Sequence, residues 1–156
     1  MSTFISKADY LSHIRTYRLE QILEEQDEDE DAILDDAEND AVSIIRDSIA
    51  MKYNADAIFS ATGASRHRTI LRWAKVLVIY FIYERIPDAM VPERVIKNYD
   101  DVLERLKMIE AGESNLEGAP VKTETTEDGE TSPTTRRRWG SDAKRANDGA
   151  SMRSLK

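Results

Sequence analysis

The chain has 156 residues, enough for one domain with an appendage. Hydrophobic residues make up 40% of it, charged residues 33% and aromatic residues 7%, which is typical of a well-solvated helical protein. Cysteine is absent, which excludes a disulfide framework and a thiolate zinc site and favours a reducing compartment. Lys7 and Asp9 precede any apolar run, so we expect no signal peptide and a cytosolic location at synthesis.

Charge is divided unevenly along the chain. Residues 1–118 carry 14 Lys and Arg against 24 Asp and Glu, a net charge of −10, whereas residues 132–156 carry 7 against 2, a net charge of +5. A basic end on an acidic body indicates a partner that is either nucleic acid or an acidic protein surface.

The N-terminal segment predicts two short helices and then an acidic loop. Ser6 is a candidate N-cap for a helix reaching about His13, and a second helix starts at Thr16. Seven of the eight residues 24–31 are acidic, namely Glu24, Glu25, Asp27, Glu28, Asp29, Glu30 and Asp31. Because these carboxylates repel one another, we expect a loop that faces solvent or a channel. The alternative, a divalent-cation site, is disfavoured because the run lacks the glycine and ligand spacing of an EF-hand.

Three helical patterns follow the acidic run. Apolar residues spaced by three and four predict an amphipathic helix over residues 32–53, followed by a connector over 54–65 in which Ser65 is a candidate N-cap. Eight consecutive apolar residues, 76–83, predict a central helix over 66–86 that is buried on all sides and too short to cross a membrane. Pro92 opens a last helix, which stops at Gly112.

These patterns predict an all-α fold, a small bundle of about four to five helices over residues 1–118. The expected core side chains come from the last two helices: Trp73, Leu77, Tyr80, Phe81, Tyr99, Leu103 and Leu106. Residues 119–156 are nearly without aliphatic side chains, so we expect an extended C-terminal arm that is disordered alone and orders on binding.

The arm contains the candidate binding residues Arg136, Arg137, Arg138, Trp139, Lys144 and Arg145. Arg and Trp are the side chains that most often anchor protein interfaces, and the stretch 123–135 would act as a tether. A solvated linker with an incidental Trp is the plainer interpretation.

Catalytic and metal motifs are not apparent in the sequence. His13 and His67 lie on different predicted helices without an acidic partner, which disfavours a metal site, and we expect no cofactor and no enzyme activity. A basic group, Arg66, His67, Arg68 and Arg72, opens the central helix. It could contact phosphate or simply be an exposed helix start. The acidic body disfavours sequence-specific DNA binding.

Five stretches, in order, resemble the helical head-tail connector (adaptor, head-completion) proteins of Mu-like phages and prophages. They are "FISKADYL", the acidic loop, "DDAENDAVSIIRDSIAMKYN", "RWAKVLVIYFIYER" and "VPERVIKNYDDVLERLKMIEAGESNL", and they cover about residues 3–118. The resemblance implies a virion neck protein that forms a homo-oligomeric ring of twelve copies beneath the portal protein. It also implies contact with downstream tail or stopper proteins, DNA passing through without sequence-specific binding, and no membrane.

A small helical regulator, anti-sigma or antitoxin-like, with a basic partner-binding tail is the competing hypothesis. Such a protein would be a monomer or dimer, so its size and its copy number in purified particles distinguish it from a ring-forming connector.

Overall fold

Three long helices, α3 (Glu30–Ile49), α5 (Arg68–Glu84) and α6 (Glu93–Glu110), form the centre of the protein. The computed structural model describes residues 4–24, 29–86, 90–125 and 131–133. The shorter elements there are α1 (Lys7–Tyr10), α2 (Thr16–Glu24), α4 (Ala55–Phe59), a 3-10 turn (Gly63–Ser65), β1 (Thr123–Thr125) and β2 (Thr131–Pro133). The predicted helical fold is confirmed.

Helix α5 packs against both α3 and α6, and α3 also contacts α6, so each long helix covers one side of the other two. The core lies between them and includes Ile45, Ile70, Leu77, Val78 and Ile82, all almost inaccessible to solvent. Helix α2 and residues Phe4 and Tyr10 extend this core along α3 and α5. The helical spacing of apolar residues in the sequence therefore identifies the correct central helix.

Helix α5 is not buried on all sides, and this part of the sequence prediction is wrong. Thr69 and Arg72 are exposed, and Trp73, Val76 and Tyr80 on the same side are only half-buried. The apolar run continues onto this side, which α6 covers only in part. Of the expected core side chains, Leu77 and Leu106 are fully buried, whereas the other five, Trp73, Tyr80, Phe81, Tyr99 and Leu103, pack partly exposed against the core.

Side-chain caps show that one helix begins earlier than predicted and that a further helix lies in the predicted connector. Asp29 accepts a hydrogen bond from the backbone N–H of Asp31 at 3.0 Å, so α3 begins at Glu30, inside the acidic run rather than after it. Carboxylates are favourable in this first turn because they face the positive end of the helix dipole. Asn54 caps α4 in the predicted connector by accepting from Ala57 at 3.0 Å.

The chain after α6 returns to the end of α3. Gly112, with φ +77°, ends α6 in the left-handed conformation that glycine adopts without strain. The backbone of Asn54 donates to the carbonyl of Pro120 at 2.8 Å, and that of Lys122 donates to the carbonyl of Lys52 at 2.9 Å. Thus the first residues of the segment predicted as an extended arm, disordered alone, contact the body of the same chain.

A short antiparallel hairpin follows this contact. Thr123 lies opposite Pro133, and Thr125 lies opposite Thr131. The stretch predicted as an extended tether therefore doubles back on itself. Periodicity could not reveal this pairing because the paired strands have only three residues each.

Tyr53→Phe is expected to lower the free energy of unfolding by about 1–3 kcal/mol, because the backbone N–H of Leu116 donates to the Tyr53 hydroxyl at 2.7 Å in a buried position. Tyr17→Phe is the matched control, since that side chain is 64% exposed and its loss should change stability by less than about 0.5 kcal/mol. Urea denaturation measures both. Equal effects would show that the Tyr53 hydrogen bond contributes nothing.

Candidate interaction surfaces

Arg66, the first residue of the predicted basic group, binds the N-terminal turn of its own chain. Its Nη1 and Nη2 atoms lie 2.7 Å and 3.2 Å from the two carboxylate oxygens of Asp9. The same guanidinium also donates to the carbonyls of Phe4, at 2.7 Å, and Gly63, at 3.0 Å. The Arg66 and Asp9 side chains are only 15% and 19% exposed. Arg66 therefore joins the N-terminus to the start of α5 rather than presenting a charge to phosphate.

Asp9 is the carboxylate at the centre of this junction. It accepts hydrogen bonds from the hydroxyl and the backbone N–H of Ser6, at 2.6 Å and 2.8 Å, which forms a capping box at the N-cap predicted for the first helix. The hydrogen bonds from Arg66 lower the pKa of Asp9 well below its usual range, those from Ser6 add to this, and burial opposes it. Asp9 is ionised at neutral pH.

His67 is the N-cap of α5, two residues beyond the predicted Ser65. Its Nδ1 accepts from the backbone N–H of Ile70 at 3.4 Å, so Nε2 carries the proton and donates to the carbonyl of Glu117 at 2.9 Å. His67 thus connects the start of α5 to the segment after α6. Of the predicted basic group, Arg68 and Arg72 are the exposed members.

Lys75 is a buried cation on α5 that the sequence analysis does not single out. Its ammonium donates to the Ser12 hydroxyl at 2.7 Å, and burial lowers the Lys75 pKa. The neighbouring His13 is half-buried, and burial, then the charge of Lys75, lowers the pKa of its imidazole. His13 is therefore neutral at neutral pH. Among the described residues, no group of three or more potential ligands is placed to hold a metal ion.

An open groove of about 610 Å³ lies between α5 and α6 on the incompletely covered side of α5. We call it the α5–α6 groove. Its lining comprises Trp73, Val76, Val102 and Met108 as apolar groups, and His13, Arg72, Asn98, Asp101, Glu104 and Arg105 as polar groups. A smaller cavity of about 150 Å³ shares His13, Val76 and Asn98 with it and adds Arg94. An apolar floor with a charged rim is typical of a protein-binding surface.

The outer face of α3 is acidic. It consists of Asp36, Asn39, Asp40, Ser43 and Asp47, which are all exposed and recur at spacings of three and four. Arg85 from the end of α5 pairs with Asp36 at 2.8 Å, at the border of this face. Since α3 packs inward on both α5 and α6, its outer face points away from the α5–α6 groove.

The acidic run predicted to face solvent or a channel is divided between two helix ends. Glu24 is exposed at the end of α2, and Asp29 and Asp31 are exposed at the start of α3. Glu30 pairs with Lys7 at 3.0 Å, with both side chains partly exposed. Three members, Glu25, Asp27 and Glu28, lie outside the described residues, as do all six predicted arm residues, Arg136, Arg137, Arg138, Trp139, Lys144 and Arg145.

A known family matches the whole described part of the chain. The family model described as Bacteriophage Mu, Gp36 matches residues 4–134. The chain belongs to the bacteriophage Mu Gp36 family. The resemblance to a Mu-like phage protein inferred from residues 3–118 is thereby confirmed, and the Gp36 match extends it through the hairpin. No curated protein and no solved structure matches the chain.

None of the helices described in this Gp36-family protein is long and apolar enough to cross a membrane. The longest, α3, has 20 residues but carries acidic side chains along its outer face.

Sequence reasoning missed the buried polar residues that organise the N-terminus of this Gp36-family protein. Glu38 is 3% exposed and accepts from the backbone N–H of Ile5 at 3.1 Å. Burial, then the charge of Glu38, raises the pKa of the neighbouring Tyr10 phenol. A signal was present in the spacing: Glu38 follows Leu34 by four residues and precedes Ala41 by three, which places it on the buried side of the helix.

Proposed function

We propose that this protein is a head-tail connector of a Mu-like phage, a structural component of the virion neck that joins capsid to tail. The observation that carries the proposal is membership of the Mu Gp36 family over residues 4–134. In this role the chain forms a ring of twelve copies under the portal protein, contacts downstream tail or stopper proteins and acts without enzymatic chemistry or a cofactor.

The charge of the body supports passage of DNA through such a ring. Residues 1–118 carry a net charge of −10, so the surface of the body is acidic. Phosphates are repelled by such a surface, so DNA moves past it without being held. The pairing of Arg66 with Asp9 supports the same interpretation because it withdraws one basic side chain from a possible phosphate site.

Copy number in purified particles tests the connector role. Quantitative mass spectrometry should find about as many copies of this chain as portal subunits, located at one vertex. A small regulator, such as an anti-sigma or antitoxin-like protein, would be absent from particles and would remain a monomer or dimer. Absence from particles that contain portal protein would overturn the connector role.

We further propose that the C-terminal arm binds the portal. Arg136, Arg137 and Arg138 supply planar donors for carboxylates on the portal, and Trp139 supplies apolar area. Deleting residues 131–156 should reduce co-sedimentation with portal rings in the absence of DNA, whereas deleting only residues 146–156 should preserve most of it. Undiminished binding of both truncated proteins would show that the body alone docks on the portal.

A further inference from the structure

We propose that the α5–α6 groove of one copy binds the outer face of α3 of the next copy, and that this contact repeats around the ring. The inference rests on the proposed connector function, since it names the two surfaces through which copies of this chain would meet. It combines three observations: an incompletely covered apolar helix side, the charges of the two surfaces, and their opposite positions on the protein.

The apolar floor of the groove is the first observation. Trp73 and Val76 on α5 are half-buried within a single copy, and Met108 on α6 lies beside them. Trp is among the residues that most often dominate interface energies, and a partner helix laid along the groove would remove this surface from water. Asn39 and Ser43 of the neighbour's α3 have short side chains, which allow the helix to approach closely.

The charges of the two surfaces favour this pairing over a contact between like surfaces. The groove and its smaller extension carry Arg72, Arg94 and Arg105 against Asp101 and Glu104, with His13 neutral, a net positive charge. The outer face of α3 carries three carboxylates, Asp36, Asp40 and Asp47, spaced by about one and two turns. Bringing two acidic faces together would be repulsive, whereas an acidic face set against the groove is attracted by its arginines.

Position is the third observation. The groove opens on the α5 and α6 side, while the outer face of α3 points away from both helices. Two different complementary surfaces on opposite sides give a head-to-tail contact, which closes into a ring when the rotation between copies allows it. A contact between two identical surfaces would stop at a dimer.

Thiol cross-linking tests the contact directly, because the chain contains no cysteine. Ser43→Cys and Met108→Cys are combined in one full-length chain, which is co-expressed with portal protein and treated, as a purified complex, with a short bifunctional maleimide. We expect a ladder of covalent oligomers from the double variant and only monomers from each single variant. The control pair is Ser43→Cys with Tyr17→Cys, because Tyr17 is exposed on α2 and does not line the groove, so this pair should give no ladder.

The outcomes separate this inference from the function on which it rests. Several copies retained on each portal ring, but no ladder, would overturn the interface and leave the connector role intact. No copies on the portal ring would overturn the connector role and the interface with it. A ladder from the control pair as well would also count against the interface, because it would show unspecific cross-linking.

Charge reversal gives an independent measurement that does not depend on cysteine placement. Arg72→Glu with Arg105→Glu, and separately Asp40→Lys with Asp47→Lys, should each lower retention of copies on portal rings by on the order of tenfold. All four changes together should restore much of it, because the charges then match again. Circular dichroism confirms that each variant folds. Failure of the combined variant to recover any retention would contradict the pairing.

Discussion

Replacing Leu77 with Asp is expected to abolish the folded state at room temperature. Leu77 is 0% exposed at the centre of α5, where α3 and α6 both pack against that helix. The substitution removes a buried apolar side chain and leaves a carboxylate without a partner, at a cost of about 5 kcal/mol or more. Since small domains are stable by about 5–15 kcal/mol, this is enough to unfold most of the protein. Circular dichroism at 222 nm, a standard helix wavelength, measures it.

Thr69→Asp is the matched control for Leu77→Asp. It introduces the same side chain into the same helix, two turns earlier and on the exposed side. A carboxylate in the first turn of α5 faces the positive end of the helix dipole, so stability should change by less than about 0.5 kcal/mol. If Leu77→Asp melts at the same temperature as Thr69→Asp, then α5 does not occupy the centre of the core.

Arg66→Ala is expected to cost about 3 kcal/mol, the second largest effect. The side chain makes two hydrogen bonds to Asp9 and one each to the carbonyls of Phe4 and Gly63. Its removal leaves the Asp9 carboxylate, which is only 19% exposed, without its cation. Removing one partner of a partly buried ion pair costs more free energy than the intact pair contributes to stability, because the remaining charge stays buried and unpaired. Urea denaturation measures the loss. The same substitution at exposed Arg68 should change stability by less than about 0.5 kcal/mol.

The pH dependence of the Arg66→Ala effect follows from Asp9. The pKa of Asp9 is lower in the folded than in the unfolded protein, so its contribution is present above about pH 4 and is lost as the pH falls toward the lower folded value. The difference in stability between wild type and Arg66→Ala should therefore shrink below about pH 4. A difference that stays constant down to about pH 2 would show that the lost hydrogen bonds to backbone carbonyls, not the ion pair, account for the effect.

Helix order and the central helix could be predicted from the sequence because they depend on periodic apolar residues. The run 76–83 and the recurrence at Val95, Val102, Leu106 and Ile109 identify helices whatever their neighbours are. How completely a neighbour covers a helix depends on tertiary packing. For this reason the half-exposed positions of Trp73 and Tyr80 on α5 could not be predicted.

The candidate surfaces were harder to predict than the helices. Arg66 belongs to a basic cluster in the sequence, but its partner Asp9 lies 57 residues away, and only the fold brings the two together. The α5–α6 groove combines residues from the α1–α2 turn, α5 and α6, none of which has a sequence signature for binding. Charge segregation, in contrast, is visible directly: the acidic body and the basic end differ in composition before any folding is considered.

The hairpin after Lys122 determines where the basic end of the chain becomes available to a partner. Because Pro133 lies opposite Thr123, the hairpin ends beside the body, and the three residues from Pro133 to Arg136 can span at most roughly 10 Å. A fully extended stretch from Lys122 would have allowed a reach of roughly 50 Å. This shorter connection raises the effective concentration of the three arginines at a partner bound close to the end of α3. Partners farther from the end of α3 are beyond the reach of these arginines. Any protein that binds those arginines must therefore lie close to the end of α3, so one surface of that partner would contact both the arm and the body.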